Sequence, residues 1–330
     1  MWVHARRSAL AAIGLLVLLA GVSIAIALNV GSTPTPTFNL WDALWHEGHS
    51  DSLSGQVVMQ LRLPRALTAF ACGGLLALAG AMMQALLRNP LADPYILGVS
   101  GGAAVGALLA MTAGLATVWI HSASLTGAML STVLVFTLAH GRGGWTPTRL
   151  VLTGVVVAAG WGALISFILA VSPQPQLRSM MFWLMGDLSG GTSPTIALTV
   201  LALGLLCALP LTRGLTLLGR GELLAASLGV PVAQLRYYVY GLTSVLTATA
   251  VTTAGSIGFI GLVVPHLVRL VMGNDYRLIL PASALLGGSM LVLADTLART
   301  ALAPQQLPVG VLTALLGVPI FLYLLHRARP

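Results

Sequence analysis

Charge is scarce in this sequence: Asp, Glu, Lys and Arg together make up 7% of 330 residues, and none of them is Lys. A soluble domain carries about a quarter charged residues. This chain cannot cover a water-facing surface with so few, so lipid must solvate most of its exterior. The absence of Lys also excludes a Walker A loop, G-x-x-x-x-G-K-[ST], whose Lys reaches the β- and γ-phosphates. There is no H-E-x-x-H and no C-x-x-C, so neither a zinc-protease helix nor a dithiol pair is on offer. The two cysteines, Cys72 and Cys207, each sit inside an apolar run. They read as small apolar residues rather than as a disulfide or a metal site. No cofactor and no metal are expected. The acids and bases inside the apolar runs are too few for the proton relay of a secondary transporter, and no clustered polar groups suggest a membrane enzyme.

What is present is apolar, at 57% of residues. A spanning helix needs roughly 20 residues. Apolar runs fall at about 8–28, 60–87, 95–114, 117–139, 150–171, 193–211, 236–254, 260–272, 278–299 and 307–325. The expected architecture is therefore an all-α membrane protein of about ten spans, forming one transmembrane domain over residues 1–330. The eighth run is short for a crossing and is expected as a half-helix packed inside the protein. The first follows Arg6 and Arg7 and resembles a signal peptide, but it is long for an h-region and no small-x-small site follows it. An uncleaved span is expected instead.

The formal charge is +8, carried by sixteen Arg against eight acids. The basic residues are scattered singly with no basic face, so nucleic acid is not the expected partner. With the N-terminus inside and alternating spans, twelve arginines fall on the cytoplasmic side and four (Arg62, Arg65, Arg178, Arg299) on the outer side. That bias orients the chain with both termini in the cytoplasm of a bacterial inner (plasma) membrane.

Three connecting segments carry more than linker composition. Residues 31–59 are polar, contain Trp41 and Trp45, and are expected as a periplasmic segment. Residues 212–235 are the longest cytoplasmic loop and read as two short helices broken at Gly229-Val230-Pro231. Residues 173–194 carry a short amphipathic stretch with Met180, Met181, Phe182, Trp183 and Met185. It would seal or wall the outer mouth. Gly98, Gly102 and Gly106, and Gly154 with Ala158, repeat at four-residue spacing, which lets helices approach closely in lipid. Gly255, Gly258 and Gly261 are expected to serve structure in an irregular stretch before the short span. Asp295 lies four residues before Arg299, the spacing of a local ion pair.

Three blocks then point to one family. They are LRLPRALTAFACGGLLALAGAMMQALLRNPLADPYILGVSGGAAVGALLA (61–110), LGRGELLAASLGVPV (218–232), and the segment 255–325 with GFIGLVVPHLVRL, LADTLAR and QLPVGVLTALLGVPIFLYLL. In order and over most of the chain, they resemble the FecCD-type permeases of type II ABC importers for ferric siderophores, haem and cobalamin. The resemblance implies the type II permease fold, a homodimer with the pathway on its two-fold axis, two cytoplasmic ATPase subunits and a periplasmic substrate-binding protein. It also implies that the chain does no covalent chemistry. Residues 219–229 match the family's ATPase-coupling element, with Arg220, Gly221, Glu222, Leu223, Ala226, Leu228 and Gly229 as its contact positions. Arg62, Arg65 and Arg299 fall on positions that dock the binding protein. Asn89, Leu91, Pro147 and Thr148 fall on gate positions, although Pro147 stands where the family can carry Thr. Arg178 would face the outer mouth. LRSMMFWLMG (177–186) is close to cobalamin permeases, whereas NPLADPYILGVSGG is common among ferric-chelate members. The expected cargo is a ferric siderophore or related iron chelate, then cobalamin, then haem.

Overall fold

A computed structural model describes residues 2–31, 53–140, 146–190 and 193–327. The acids and tryptophans of the expected periplasmic segment (Trp41, Asp42, Trp45, Glu47, Asp51) lie outside the described residues, as does Arg142. The described chain is helical, with one isolated bridge between Leu302 and Gln305. Its α-helices are α1 (Trp2–Asn29), α2 (Leu53–Val57), α3 (Leu63–Leu87), α4 (Val99–Thr112), α5 (Thr117–Ala139), α6 (Pro147–Val171), α7 (Gln174–Leu184), α8 (Pro194–Ala208), α9 (Thr212–Leu218), α10 (Glu222–Ser227), α11 (Val232–Ala254), α12 (Ile260–Met272), α13 (Tyr276–Thr300) and α14 (Val309–Arg327).

Among the described residues six helical stretches are long and apolar enough to cross a bilayer: α1, α2 running into α3, α5, α6, α8 running into α9, and α13. The apolar helices α4, α12 and α14 are shorter. α11 is long but rich in Thr and Tyr. Its hydroxyls turn back on its own carbonyls, as in Thr243 to Val239 O (2.8 Å) and Thr247 to Thr243 O (2.7 Å), so the helix exposes few polar groups. A helix thus lies on each of the ten apolar runs read from sequence, six of them long and apolar enough to span and the eighth short.

α3 is the central post. Within its 18-residue apolar stretch 89% of the residues are buried, and α13, α11, α12 and α8 pack around it. Glycine makes this packing close. A Cβ at Gly80 would lie 1.9 Å from Gly261 O, and one at Gly73 would lie 2.2 Å from Gly287 O. The expected Gly98, Gly102 and Gly106 row meets α5, where a Cβ at Gly102 would come 2.3 Å from Gly127 O and one at Gly106 2.2 Å from Ala123 O. α6 is different: Leu152, Val155, Val156 and Phe167 are all exposed, which suits a lipid or partner face.

Between α11 and α12 the chain leaves the helical path at Gly255–Phe259, where Gly255 (φ 69°) and Phe259 (φ 69°) take left-handed conformations. Non-helical backbone at this depth must find partners inside the protein. Tyr95 supplies them, donating to Ile257 O (2.9 Å) and accepting from Ile257 N (3.0 Å). α12 then runs only 13 residues, about 20 Å at 1.5 Å per residue, which is the half-helix read from the sequence.

The C-terminal end of α13 and the N-terminal end of α3 lie together, and the C-terminal end of α1 joins them through Arg62 and Arg299. This is the arginine end. At the other end lie the C-terminal end of α3, the start of α13, and α9 with α10: the loop end.

Candidate functional site

Two clusters stand at opposite ends of α3. At the arginine end, a five-residue π-helical turn, Val58–Arg62, precedes α3. One wide turn of this kind rotates the register of what precedes it, and Arg62 is buried as a result. Its Nη1 donates to Leu28 O (2.8 Å) and Asn29 O (3.2 Å), the free carbonyls at the end of α1. Arg299 Nη2 reaches Ala27 O at 3.4 Å. Two guanidinium groups thus cap α1, where carbonyls lack intrahelical donors and a cation is favoured by the helix dipole.

The third arginine is held differently. Arg65 lies one turn into α3, which opens with Pro64 in its first turn. Its guanidinium grips Asp295 side-on, with Nε to Oδ2 at 3.0 Å and Nη2 to Oδ1 at 2.8 Å, a bidentate geometry. Nη1 donates to Gln306 Oε1 at 3.1 Å. Asp295 also lies 3.2 Å from Arg299 Nε, the local pair expected from spacing, and is 2% exposed. One carboxylate therefore serves two guanidinium groups. Arg65 has a side chain 15% exposed, whereas Arg62 and Arg299 are buried. The sequence missed the Arg65–Asp295 contact because 230 positions separate the partners.

At the loop end, residues 212–235 fold as α9, a turn at Gly219–Gly221, the six-residue α10, and a turn at Leu228–Pro231 before α11. Gly221 (φ 130°) and Gly229 (φ 79°) occupy backbone conformations that L side chains rarely adopt, so both ends of α10 are set by glycine. α10 presents its apolar side chains outward. Leu223 is 88% exposed, Leu228 52% and Leu224 44%, while Ala225 is buried against the body. Ala226 is exposed and so is Arg220. Glu222 is tied within the chain, accepting from Arg236 Nη2 at 2.5 Å.

The turn after α3 lies beside this loop. Arg88 ends the helix in a left-handed conformation (φ 49°), and Asn89 Oδ1 accepts from Leu91 N at 2.9 Å. Asn89 lines a cavity with Arg220, so the structure brings these two expected positions together. Leu91 is 42% exposed. Asp93 next caps the 3-10 turn Pro94–Leu97 by accepting from Tyr95 N at 2.7 Å. Burial pushes its carboxyl up to about 6, partly opposed by that hydrogen bond. Pro147 and Thr148, expected in a loop, are instead the first residues of α6, capped by Thr146 Oγ1 on Arg149 N (3.3 Å). Proline at the first helical position costs no backbone donor, and this is why the helix starts earlier than the apolar run.

Arg178 lies exposed on α7, 5.8 Å from the Phe182 ring centroid. With His121, Trp183, Asp187 and Gly255 it lines a cavity of about 520 Å³. Ser100, at the centre of a G-x-S-x-G run (Gly98–Gly102), places its hydroxyl on Ser256 Oγ at 2.9 Å and not on a histidine, so it lacks the base an acyl-transfer nucleophile needs. Among the described residues no three His, Cys, Asp or Glu side chains gather as a metal site.

Comparison with known proteins is consistent with this arrangement. The FecCD transport family model matches residues 16–327. The cobalamin import system permease protein BtuC of Halobacterium salinarum is 41% identical, with 97% of this chain and 88% of that protein covered. The Fe(3+) dicitrate transport system permease protein FecD of Escherichia coli K12 is 40% identical, covering 94% and 96%. A solved metal-chelate type ABC transporter in an inward-facing conformation superposes with a TM-score of 0.84 at 32% identity, covering 96% of this chain and 98% of that one. With the family model spanning most of its length on a matching helical frame, the chain belongs to the FecCD transport family and is a multi-pass inner-membrane permease subunit of a type II ABC importer.

Proposed function

We propose that the chain pairs with a second copy to form the pathway of an importer for a ferric siderophore or related iron chelate, powered by two ATPase subunits at the loop end and loaded by a substrate-binding protein at the arginine end. The whole chain acts as one transmembrane unit, with the loop end and both termini cytoplasmic. The observation that carries the reading is α10: a short helix with Leu223, Leu224 and Leu228 turned away from the protein, 88%, 44% and 52% exposed. Apolar side chains on a polar loop are unfavourable in water unless a partner covers them. Residues 219–229 are therefore the lever on which a closing ATPase dimer pushes, with Arg220 and Glu222 at its polar edge, Ala226 within the contact and Gly221 and Glu222 setting its start. An iron chelate is favoured as cargo by the likeness to a metal-chelate transporter and to the ferric dicitrate permease. Cobalamin is the second reading, on the 41% identity to a cobalamin permease. Haem is the third, with Arg178 at the mouth facing a propionate. Asn89, Leu91, Pro147 and Thr148 stand at the cytoplasmic gate.

Replacing Leu223 and Leu228 together by Asp should weaken association with the ATPase by about 2 kcal/mol or more, roughly 30-fold, and abolish ATP-driven uptake. Because both leucines are exposed, the thermal midpoint of the isolated permease should stay put. Uptake of the ferric chelate in proteoliposomes that hold permease, ATPase and binding protein measures it. Wild-type uptake by the double variant would remove α10 from the coupling path. The same assay run with cobalamin and haem in parallel decides the cargo.

Docking at the arginine end rests on Arg65, the one cluster arginine with a solvent-facing edge. Arg62 and Arg299 lie behind it and hold the surface in place. Arg65→Gln should slow capture of the loaded binding protein about tenfold at low salt and flatten its salt dependence. Association rates measured by surface plasmon resonance between 20 and about 300 mM salt test this. Rates that keep the wild-type salt slope would exclude Arg65 from docking.

A further inference from the structure

The loop end holds a second feature, a basic cavity that shares Arg220 with the coupling element. A cavity of about 250 Å³ is lined by Arg88, Arg220 and Arg269, with Asn89, Asn274 and Tyr276 completing the wall. The three arginines come from three elements: the left-handed cap of α3, the turn before α10, and the last turn of α12. Arg269 is held, donating to Gln84 Oε1 and to the Tyr276 hydroxyl. Arg88 and Arg220 are exposed, and neither side chain makes a hydrogen bond or ion pair with a described residue.

No carboxylate lines this cavity. The nearest in sequence, Asp275, caps α13 by accepting from Arg277 N at 3.0 Å, and it lines the adjoining cavity, where Arg213, Arg220 and Arg277 outnumber it. Three guanidinium groups converging without a counter-charge repel one another. An oxyanion removes that repulsion, and guanidinium forks match phosphate oxygens in pairs. The end of α12 adds a second indication. Leu270 and Val271, next in sequence to Arg269, are 63% and 80% exposed. Exposed apolar side chains that follow a basic residue at a helix end are a setting in which anionic headgroups dock.

We propose that Arg88, Arg220 and Arg269 form a binding site for a phosphate group, supplied by an anionic phospholipid headgroup or by free phosphate. A bound phosphate ties the turn after α3, the segment leading into α10 and the end of α12 to one another. The site thereby sets how stiffly α10 is joined to the body. It shares Arg220 with the coupling element, but binding to the isolated permease is read without the ATPase and does not depend on which cargo is carried.

The test uses the full-length permease in a neutral detergent. Native mass spectrometry counts retained phosphatidylglycerol, and the thermal midpoint is followed against inorganic phosphate. The variants are R88Q and R220Q, singly and together. Both positions are exposed, so the fold should persist, and R149Q on α6 is the control. Each site variant should weaken phosphate-group binding about tenfold, the pair should lose it, and R149Q should match wild type. Protection by phosphatidylglycerol alone identifies a headgroup site. Protection by inorganic phosphate alone, or by both, identifies a general phosphate site. Equal retention and equal protection in wild type and the double variant overturn the proposal.

Discussion

Replacing Asp295 by alanine is expected to cost about 3–5 kcal/mol of folding stability, the range for removing one partner of a buried ion pair. The carboxylate is 2% exposed and stands 2.8 Å from Arg65 and 3.2 Å from Arg299. Without it, the Arg65 and Arg299 guanidinium groups lose the carboxylate they share. Arg65 can swing partly toward solvent, but Arg299 cannot. Asp295→Asn keeps the shape and one acceptor, so it should lose less than alanine. Adding Arg65→Gln to Asp295→Asn should recover part of the loss, because the surplus charge goes with it. Thermal unfolding in nanodiscs measures all four proteins. A midpoint for Asp295→Ala within a degree of wild type would mean that the cluster contributes nothing to the fold.

Gly80→Val should have a comparable effect by a different route. A Cβ there would sit 1.9 Å from Gly261 O and 2.6 Å from Gly261 C. The obstacle is backbone, so no side-chain rotation relieves it. α3 and α12 would have to separate, and with them Gln84 Nε2 would lose Leu262 O at 3.1 Å. Overpacking typically costs about 1–3 kcal/mol, and with backbone as the obstacle the upper end is expected here, leaving little monodisperse protein after extraction. Gly241→Ala is the control: nothing lies within 4 Å of the added methyl, and alanine favours a helix interior over glycine by about 1 kcal/mol. Size-exclusion profiles after detergent extraction separate the two outcomes. A normal profile for Gly80→Val would show that the α3–α12 contact is looser than described.

Much of the fold was legible because lipid imposes a simple rule: long apolar runs become helices. Run boundaries were less exact where local chemistry extends a helix past its apolar stretch. Thr146 and Pro147 start α6 three residues before the run at 150, and Val232 opens α11 four residues before Arg236. The short eighth span was readable from its length alone, but the device that makes it tolerable was not. Nothing in the sequence around Tyr95 says that its hydroxyl serves both polar groups of Ile257, 162 positions away. The candidate site divides in the same way. The outward leucines of α10 follow from a short helix bounded by Gly221 and Gly229. The partners of Arg65 and Arg62 lie 230 and 34 positions off, beyond any spacing argument.

The capping of α1 bears on how the chain is made. α1 leaves the ribosome before the other described helices, yet Ala27 O waits for Arg299, 272 residues later. At about 5–20 residues per second that interval is roughly 15–55 s. During that time the first span stands in the bilayer with part of its final anchoring not yet synthesised. Arg62 arrives within a few seconds and can hold Leu28 O and Asn29 O in the meantime. Loss of Arg62 would therefore lengthen the exposure of nascent α1 to membrane quality control even if the finished protein were as stable as before.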